Sequence, residues 1–189
     1  MDFKEILQIR RTVRLFRQCP VDKTVLLELI NAARLASCAV NKQHLRYIIV
    51  RTPEVVNKIL EYTAWAALVA PHRTPAAGES APAAFIVMTT TESVPSNHAY
   101  ADAGAAMQSL EFAAANAGLG CCWLGSADRQ KIGQLLECSG ILYLAAVGYP
   151  AEAPAYTDIP AAADTAYYLD EDGRLTVPKI QLADLVRFV

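Results

Sequence analysis

Three arginines occupy five consecutive positions near the start of the chain, in Arg10-Arg11-Thr12-Val13-Arg14. A guanidinium presents a planar fork of donors that matches two phosphate oxygens at once, and a threonine hydroxyl adds a neutral donor. These residues predict local capture of a phosphorylated ligand. Locality matters, because the whole chain carries 17 Lys and Arg against 19 Asp and Glu, a formal net charge of -2. That balance excludes the broad basic face that nucleic acid demands. If residues 11–16 are extended, Thr12, Arg14 and Phe16 share one side while Arg11 and Val13 take the other. A solvated run of charge near a terminus is the competing reading of the same residues.

Other sources of chemistry are missing. No GxxxxGK(S/T) loop occurs, and after Gly118 and Gly120 the third position of a GxGxxG pattern is Trp123. There is no GxSxG elbow. His44, His72 and His98 are far apart without ligand-like spacing, which argues against a structural zinc. Five cysteines (Cys19, Cys38, Cys121, Cys122 and Cys138) make an odd number with no CxxC pair. They read as reduced thiols of a cytoplasmic protein. Adjacent Cys121 and Cys122 fit a buried strand better than a redox pair. With no evident side-chain nucleophile, the chemistry is left to a cofactor.

The elements that must position the arginines can be read from periodicity. Phe3, Ile6, Leu7 and Arg10 mark a short first helix, and residues 11–16 alternate as an extended segment. Asp22 is placed to cap a second helix whose apolar stripe is Val25, Leu26, Leu29, Ile30, Ala33 and Ala36. Residues 37–44 form a polar loop, Leu45 to Val50 a strand, and Pro53 opens a third helix ending near Tyr62. Residues 64–82 carry Pro71, Pro75, Gly78 and Pro82 and read as a lid or insertion, with two helical turns at Ala64 to Ala70. Trp65 there is either a lid anchor or a stacking group.

Ala83 to Thr91 is a buried strand, and Ala101 to Ala117 a long alanine-rich helix stopped by Gly118. Within that helix Asp102 reads as a charge favoured by the N-terminus, and Gln108 and Glu111 as interface polar contacts. Cys121 to Leu124 and Ile141 to Val147 are strands separated by a helix at 128–136. Residues 151–164 look like a connecting arm, and Tyr167 to Val177 like a hairpin turned at Asp172-Gly173. An apolar tail, Leu182 to Val189, ends the chain. The hydrophobic fraction of 53% hints at apolar surface buried against a second subunit. No signal peptide is read at the N-terminus, and the window Ala103 to Gly125 is ill suited to a membrane because it holds Gln108, Glu111 and Asn116. The pattern as a whole is α+β.

RRTVRLF, then a helix, then LASCAVNKQHLRYIIV resembles the opening of the FMN-dependent nitroreductase family. There a basic RRSxRxF-like segment precedes a helix, and a PSAxNxQPW-like loop leads into the first strand. DAGAAMQSLEFAAANAGLGCCWLGS is similar to the family's dimer-core helix and GLGxxWxG segment. AAVGYP resembles its strand end and VPKIQLADLV its C-terminal basic segment. The pieces fall in family order and cover the chain except for residues 55–80 and 151–166.

The resemblance implies a central mixed, largely antiparallel sheet flanked by helices, in a homodimer whose flavin sites lie between subunits. It implies one domain over residues 1–189, with a lid around 63–82 and a C-terminal arm at 151–189. Arg10, Arg11 and Thr12 would bind the FMN phosphate and ribityl chain, and Arg14 would reach the N1/O2 edge of the isoalloxazine. Lys179 would be a further phosphate contact. Ser37, Cys38, Ala39 and Asn41 would approach the flavin from the other subunit, and the backbone at Leu124 and Gly125 would lie near N5. The implied activity is ping-pong transfer of hydride from NADH or NADPH, through FMN, to a small electron-poor acceptor such as a nitroaromatic or quinone. A specialised flavin enzyme of the dehalogenase or desaturase type, or a non-catalytic flavin- or ligand-binding protein on the same dimer, remains an alternative. Two departures stand out: Cys38 replaces the usual serine, and His44-Leu45 replace proline-tryptophan.

Overall fold

The computed structural model describes residues 1–189. Its order is α1 (Phe3–Ile9), α2 (Lys23–Arg34), β1 (Leu45–Val50), α3 (Pro53–Glu61), β2 (Ala84–Thr90), α4 (Asn97–Asn116), β3 (Gly120–Leu124), α5 (Arg129–Leu136), β4 (Ile141–Gly148), β5 (Ala155–Ile159), β6 (Tyr168–Leu169), β7 (Leu175–Ile180) and α6 (Leu182–Leu185). Strands β1-β2-β4-β3 form one sheet in that order, with every pairing antiparallel. Helices cover both of its faces, so the α+β reading holds. No helix is long and apolar enough to cross a membrane.

Alternation along each strand assigns its side chains to two cores. Ala84, Ile86 and Met88 of β2 join Leu26, Leu29, Ala103, Met107 and Leu110 beneath α2 and α4. Phe85 and Val87 join Val56, Ile59, Ile132 and Phe16 on the opposite face. Since both faces are buried, β2 is a continuous apolar run rather than an alternating one. In β4, Leu142 and Tyr143 both serve the α2–α4 face. The register shifts there, with Met88 opposite Tyr143 but Thr89 opposite Ile141, so a bulge breaks the alternation.

Local chemistry fixes the helix ends. Asp2 and Glu5 form a reciprocal capping box on α1. Asp22 caps α2 by accepting from the Thr24 amide at 2.8 Å. The long helix starts earlier than its alanine run suggests, because the Ser96 hydroxyl accepts from the Ala99 amide at 3.2 Å and caps it there. Its residues Ala99, Ala103, Ala106 and Ala114 are fully buried or nearly so. Small side chains let this helix lie close to the sheet.

Three sequence expectations need correction. The stretch Ala64 to Ala70 makes only a single 3-10 turn at Ala67–Val69, entered through Ala66 at φ +44°. Trp65 takes the anchor reading of its two, in the second core, its indole N–H donating to Thr63 Oγ1 at 2.8 Å. Residues 151–164 are more than a connecting arm, since they contain β5, which pairs in parallel with β7. The mixed pairing therefore sits in a small separate sheet, β5-β7-β6, while the four-stranded sheet is purely antiparallel. The hairpin turn stands as read: Leu169 pairs with Leu175, and Gly173 takes φ +72°. Pro178 is tolerated in β7 because β6 pairs only as far as Thr176, leaving that side of the strand free.

The extended arginine segment is stitched to this frame. The Val13 amide donates to the Cys121 carbonyl at 3.0 Å and the Arg17 amide to the Tyr149 carbonyl at 2.8 Å. Strict alternation fails, because Val13 and Phe16 both enter the second core. The close approach to β3 requires Gly120, where an added Cβ would meet Val13 Cβ and Cγ1 at 2.7 Å. Gly120→Ala should cost about 1–3 kcal/mol in denaturant unfolding, as overpacked sites do. An unchanged midpoint and slope would mean that this contact does not hold the segment.

Candidate functional site

A cavity of about 490 Å³ opens beside the arginine segment, with Gln8, Arg10, Arg11, Glu111, Gly120 and Tyr156 among its lining residues. That volume falls within the roughly 300–1,000 Å³ of small-molecule sites. Arg10 reaches it from the end of α1, where its amide closes the last turn on Ile6. Its guanidinium lies 3.6 Å from Glu111 Oε2 of α4. Burial pushes the Glu111 carboxyl up from its usual range, and Arg10 opposes that shift. Arg11 stacks over the Tyr156 ring, with 4.2 Å from guanidinium carbon to centroid. Tyr156 is itself held by a 2.8 Å hydrogen bond from its hydroxyl to Gln8.

Arg11 is the unsettled member. Its Nε is buried without a hydrogen-bond partner. Desolvation and the adjacent Arg10 charge both pull its pKa below the usual guanidinium value, with Tyr156 opposing. A buried cationic donor beside a cavity is a fit for an anionic ligand.

Glu152 is a residue the sequence did not point to. Its Oε1 accepts from the Arg14 and Leu15 amides, and its Oε2 lies 2.8 Å from Arg73 Nε. It both fixes the backbone of the arginine segment and ties it to the 63–82 region. Glu111, expected as an interface polar contact, lines the cavity and pairs with Arg10. Burial at the inward face of the long helix was the only available signal.

The remaining expected site residues do not all converge. Thr12 bridges to Cys121 of β3 and does not line the cavity. The Arg14 guanidinium sits 5.2 Å from the Tyr167 centroid. Leu124 is buried at the end of β3 and Gly125 is exposed beyond it. Lys179 is exposed on β7 opposite Asp158 and is likewise absent from the cavity wall.

Ser37 and Cys38 line a different cavity, of about 210 Å³, which shares no residue with the first. The Ala39 amide donates to Asp102 Oδ1 at 2.9 Å, while Asn41 is exposed at φ +51° and accepts from Gln43. Asp102 is therefore no simple helix-terminus charge: it is buried in α4 and receives the loop. Although burial opposes its ionisation, bonds from Ala39 and Cys38 and the neighbouring His44 hold its carboxyl below the usual range.

Comparison with known proteins decides the lineage. A sequence model described as Nitroreductase family matches residues 7–149. The chain belongs to the nitroreductase family. A "Putative NADH dehydrogenase/NAD(P)H nitroreductase" of Methanothermobacter thermautotrophicus is 28% identical over 168 residues, covering 84% of this chain and 83% of that protein. A solved nitroreductase family protein from Clostridium novyi NT superposes with TM-score 0.68 at 23% identity, over 79% of this chain and 86% of its own. An FMN-dependent nitroreductase from Clostridium difficile R20291 superposes with TM-score 0.65 at 19% identity, over 79% and 88%. These superpositions establish the nitroreductase fold, and family membership places the chain among oxidoreductases.

Cys121 and Cys122 lie on opposite faces of β3, one in each core, so they cannot act as a redox pair. Burial drives Cys121 well above its ordinary value and Cys122 up to about 12. Only the thiolate reacts. At pH 8 an alkylating reagent should modify exposed Cys19 and leave Cys121 and Cys122 unmodified in the native protein, as read by peptide mass mapping. Equal labelling of all three would contradict the buried placement.

Proposed function

We propose that this nitroreductase-family protein is an FMN-dependent oxidoreductase that takes electrons from NADH or NADPH and passes them to a small electron-poor acceptor such as a nitroaromatic or quinone. The observation carrying the reading is the unpartnered Arg11 Nε beside Arg10 in a cavity of ligand size. When bound, FMN would supply the hydride chemistry that no side chain of this protein offers.

The protein's own residues bind and orient. Arg10 and Arg11 would hold the phosphate as charge-assisted donors, with Thr12 beside them on the same pinned segment. Glu111, 3.6 Å from the Arg10 guanidinium, would keep it aimed by charge. Arg14 is the cation proposed for the N1/O2 edge, where a fixed positive charge favours added electron density. The backbone at Leu124 and Gly125 is proposed near N5. Lys179 remains a proposed phosphate contact from β7. It would have to reach the ligand from outside the cavity wall.

The two separate cavities suit a shared site, in which Ser37, Cys38, Ala39 and Asn41 serve the partner's flavin. Exposed apolar residues support a homodimer: Phe3, Leu7 and Ile9 on and beside α1, Val40 at 93% exposure, and Leu182, Leu185, Phe188 and Val189 at the C-terminus. Such surface is unfavourable on a lone protomer.

The test is direct. Purified protein should carry a flavin absorption spectrum that bleaches anaerobically on adding NADH or NADPH and returns with a quinone. A protein that stays colourless after incubation with FMN would overturn the reading. Arg11→Ala should weaken FMN affinity about tenfold or more, the scale of one lost charge-assisted bond, while leaving the unfolding midpoint near that of the wild type. Unaltered affinity would remove Arg11 from the phosphate site.

A further inference from the structure

Three potential metal ligands, two from one loop and one from a distant helix, meet where the 38–44 loop lies against α4. The donor atoms of Cys38, His44 and Asp102 all fall within 4.8 Å of one another. Cys38 Sγ is 3.1 Å from Asp102 Oδ2, and His44 Nε2 is 3.6 Å from the same oxygen. Bond lengths of about 2.3 Å for sulfur and 2.0–2.2 Å for nitrogen and oxygen around a tetrahedral zinc imply donor separations of about 3.3–3.6 Å. The two separations from Asp102 Oδ2 are already close to those values, and the third lies within 4.8 Å.

His44 makes the case for a ligand. It is 5% exposed, yet neither ring nitrogen has a hydrogen-bond partner. At 3.6 Å its Nε2 is too far from Asp102 for a hydrogen bond. A buried imidazole with both nitrogens unmet is a costly arrangement unless something binds it. On its other side, Nδ1 lies 3.8 Å from Glu92 Oε1. Glu92 is fixed in place because its Oε2 accepts from the Ser96 amide at 2.8 Å. Metal-binding imidazoles are oriented by donating to a carboxylate behind them, and Glu92 would take that role by closing in from 3.8 Å when the metal binds.

The other two ligands are equally prepared. Asp102 Oδ1 is occupied by the Ala39 amide, which leaves Oδ2 turned to the cluster. The Gln43 amide donates to Cys38 Sγ at 3.2 Å, which fixes the sulfur in place. Cys38 and Asp102 also line the second cavity, together with Arg34, Tyr47 and Ala106.

We propose that Cys38 Sγ, His44 Nε2 and Asp102 Oδ2 form a three-ligand site for a zinc-class divalent metal ion, with its fourth position open to the 210 Å³ cavity. The site shares Cys38 and this cavity with the proposed approach to the partner's flavin, but its argument does not rest on that reading. One thiolate and one carboxylate neutralise the dication, and imidazole binds uncharged. On binding, the Cys38 thiol loses its proton to solvent and a metal–sulfur bond forms, with no change of oxidation state. The ion would clamp the loop to α4. Sequence spacing conceals the site, because one of its ligands comes from a distant helix.

The full chain, stripped with a chelator and dialysed, is titrated with Co²⁺ and then with Zn²⁺. One cobalt per chain should bind, with a thiolate-to-cobalt charge-transfer band and the intense red d–d bands of four-coordinate cobalt, and Zn²⁺ should displace it. Those d–d bands lie clear of flavin absorption. Cys38→Ser should abolish the charge-transfer band, and Glu92→Gln should lower metal affinity about tenfold. In the wild-type protein Zn²⁺ should protect Cys38 from alkylation while Cys19 stays reactive, a readout that needs no variant to fold. Failure to take up cobalt, a weak six-coordinate spectrum, a band that survives Cys38→Ser, or no protection of Cys38 would each overturn the site.

Discussion

Residues 12–17 are held in extended form by a short set of backbone hydrogen bonds, and the course of the arginine segment past the cavity depends on them. The Val13 amide reaches the Cys121 carbonyl, the Phe16 amide the Ser80 carbonyl, the Arg17 amide the Tyr149 carbonyl, and the Ala151 amide returns to the Leu15 carbonyl. Glu152 takes the two amides between these anchors. An arginine-rich stretch left free would be solvated and mobile, and would lose much of its binding energy to ordering. Anchored to β3 and to the chain leaving β4, it presents guanidinium groups at fixed points. Val13 and Phe16 contribute by burying their side chains in the second core.

Fixing cations in a partly buried wall has an electrostatic cost, and the two glutamates offset it. Glu111 sits beside Arg10, and Glu152 beside Arg73. Each carboxylate comes from an element that also shapes the cavity, the long helix and the chain after β4. Arg11 stacks on Tyr156 and donates through Nη1 to the Leu7 and Arg10 carbonyls, has no carboxylate partner, and keeps an unmet Nε. The cavity is thus balanced except at Arg11, the residue proposed to meet the ligand. Such selective incompleteness distinguishes a binding site from a structural ion-pair network.

Much of this was legible in the sequence, for a physical reason: the first two-thirds of the chain follows strong local periodicity. Leu26, Leu29 and Ala33 announce α2, and the unbroken run at 84–90 announces a strand buried on both faces. Asp22 and Gly118 mark ends through capping and positive φ. What was not legible depends on distant contacts. Strand β5 is short, flanked by Pro154 and Pro160, and alternately exposed, so its identity comes only from pairing with β7. Glu111 and Glu152 look like ordinary polar residues until the fold buries them against arginines. Asp102 reads as a helix-terminus charge until the 37–44 loop folds onto it.

The central claim is that the arginine-lined cavity recognises a phosphate, not merely an aromatic ring. FMN and riboflavin share the ring system and differ in that group, so their affinities for the full-length protein isolate it. Fluorescence-quenching titrations at low and high ionic strength would measure both. FMN should bind at least about tenfold more tightly than riboflavin, and the advantage should shrink as salt screens the guanidinium groups. Equal affinities, unaffected by salt, would contradict the account.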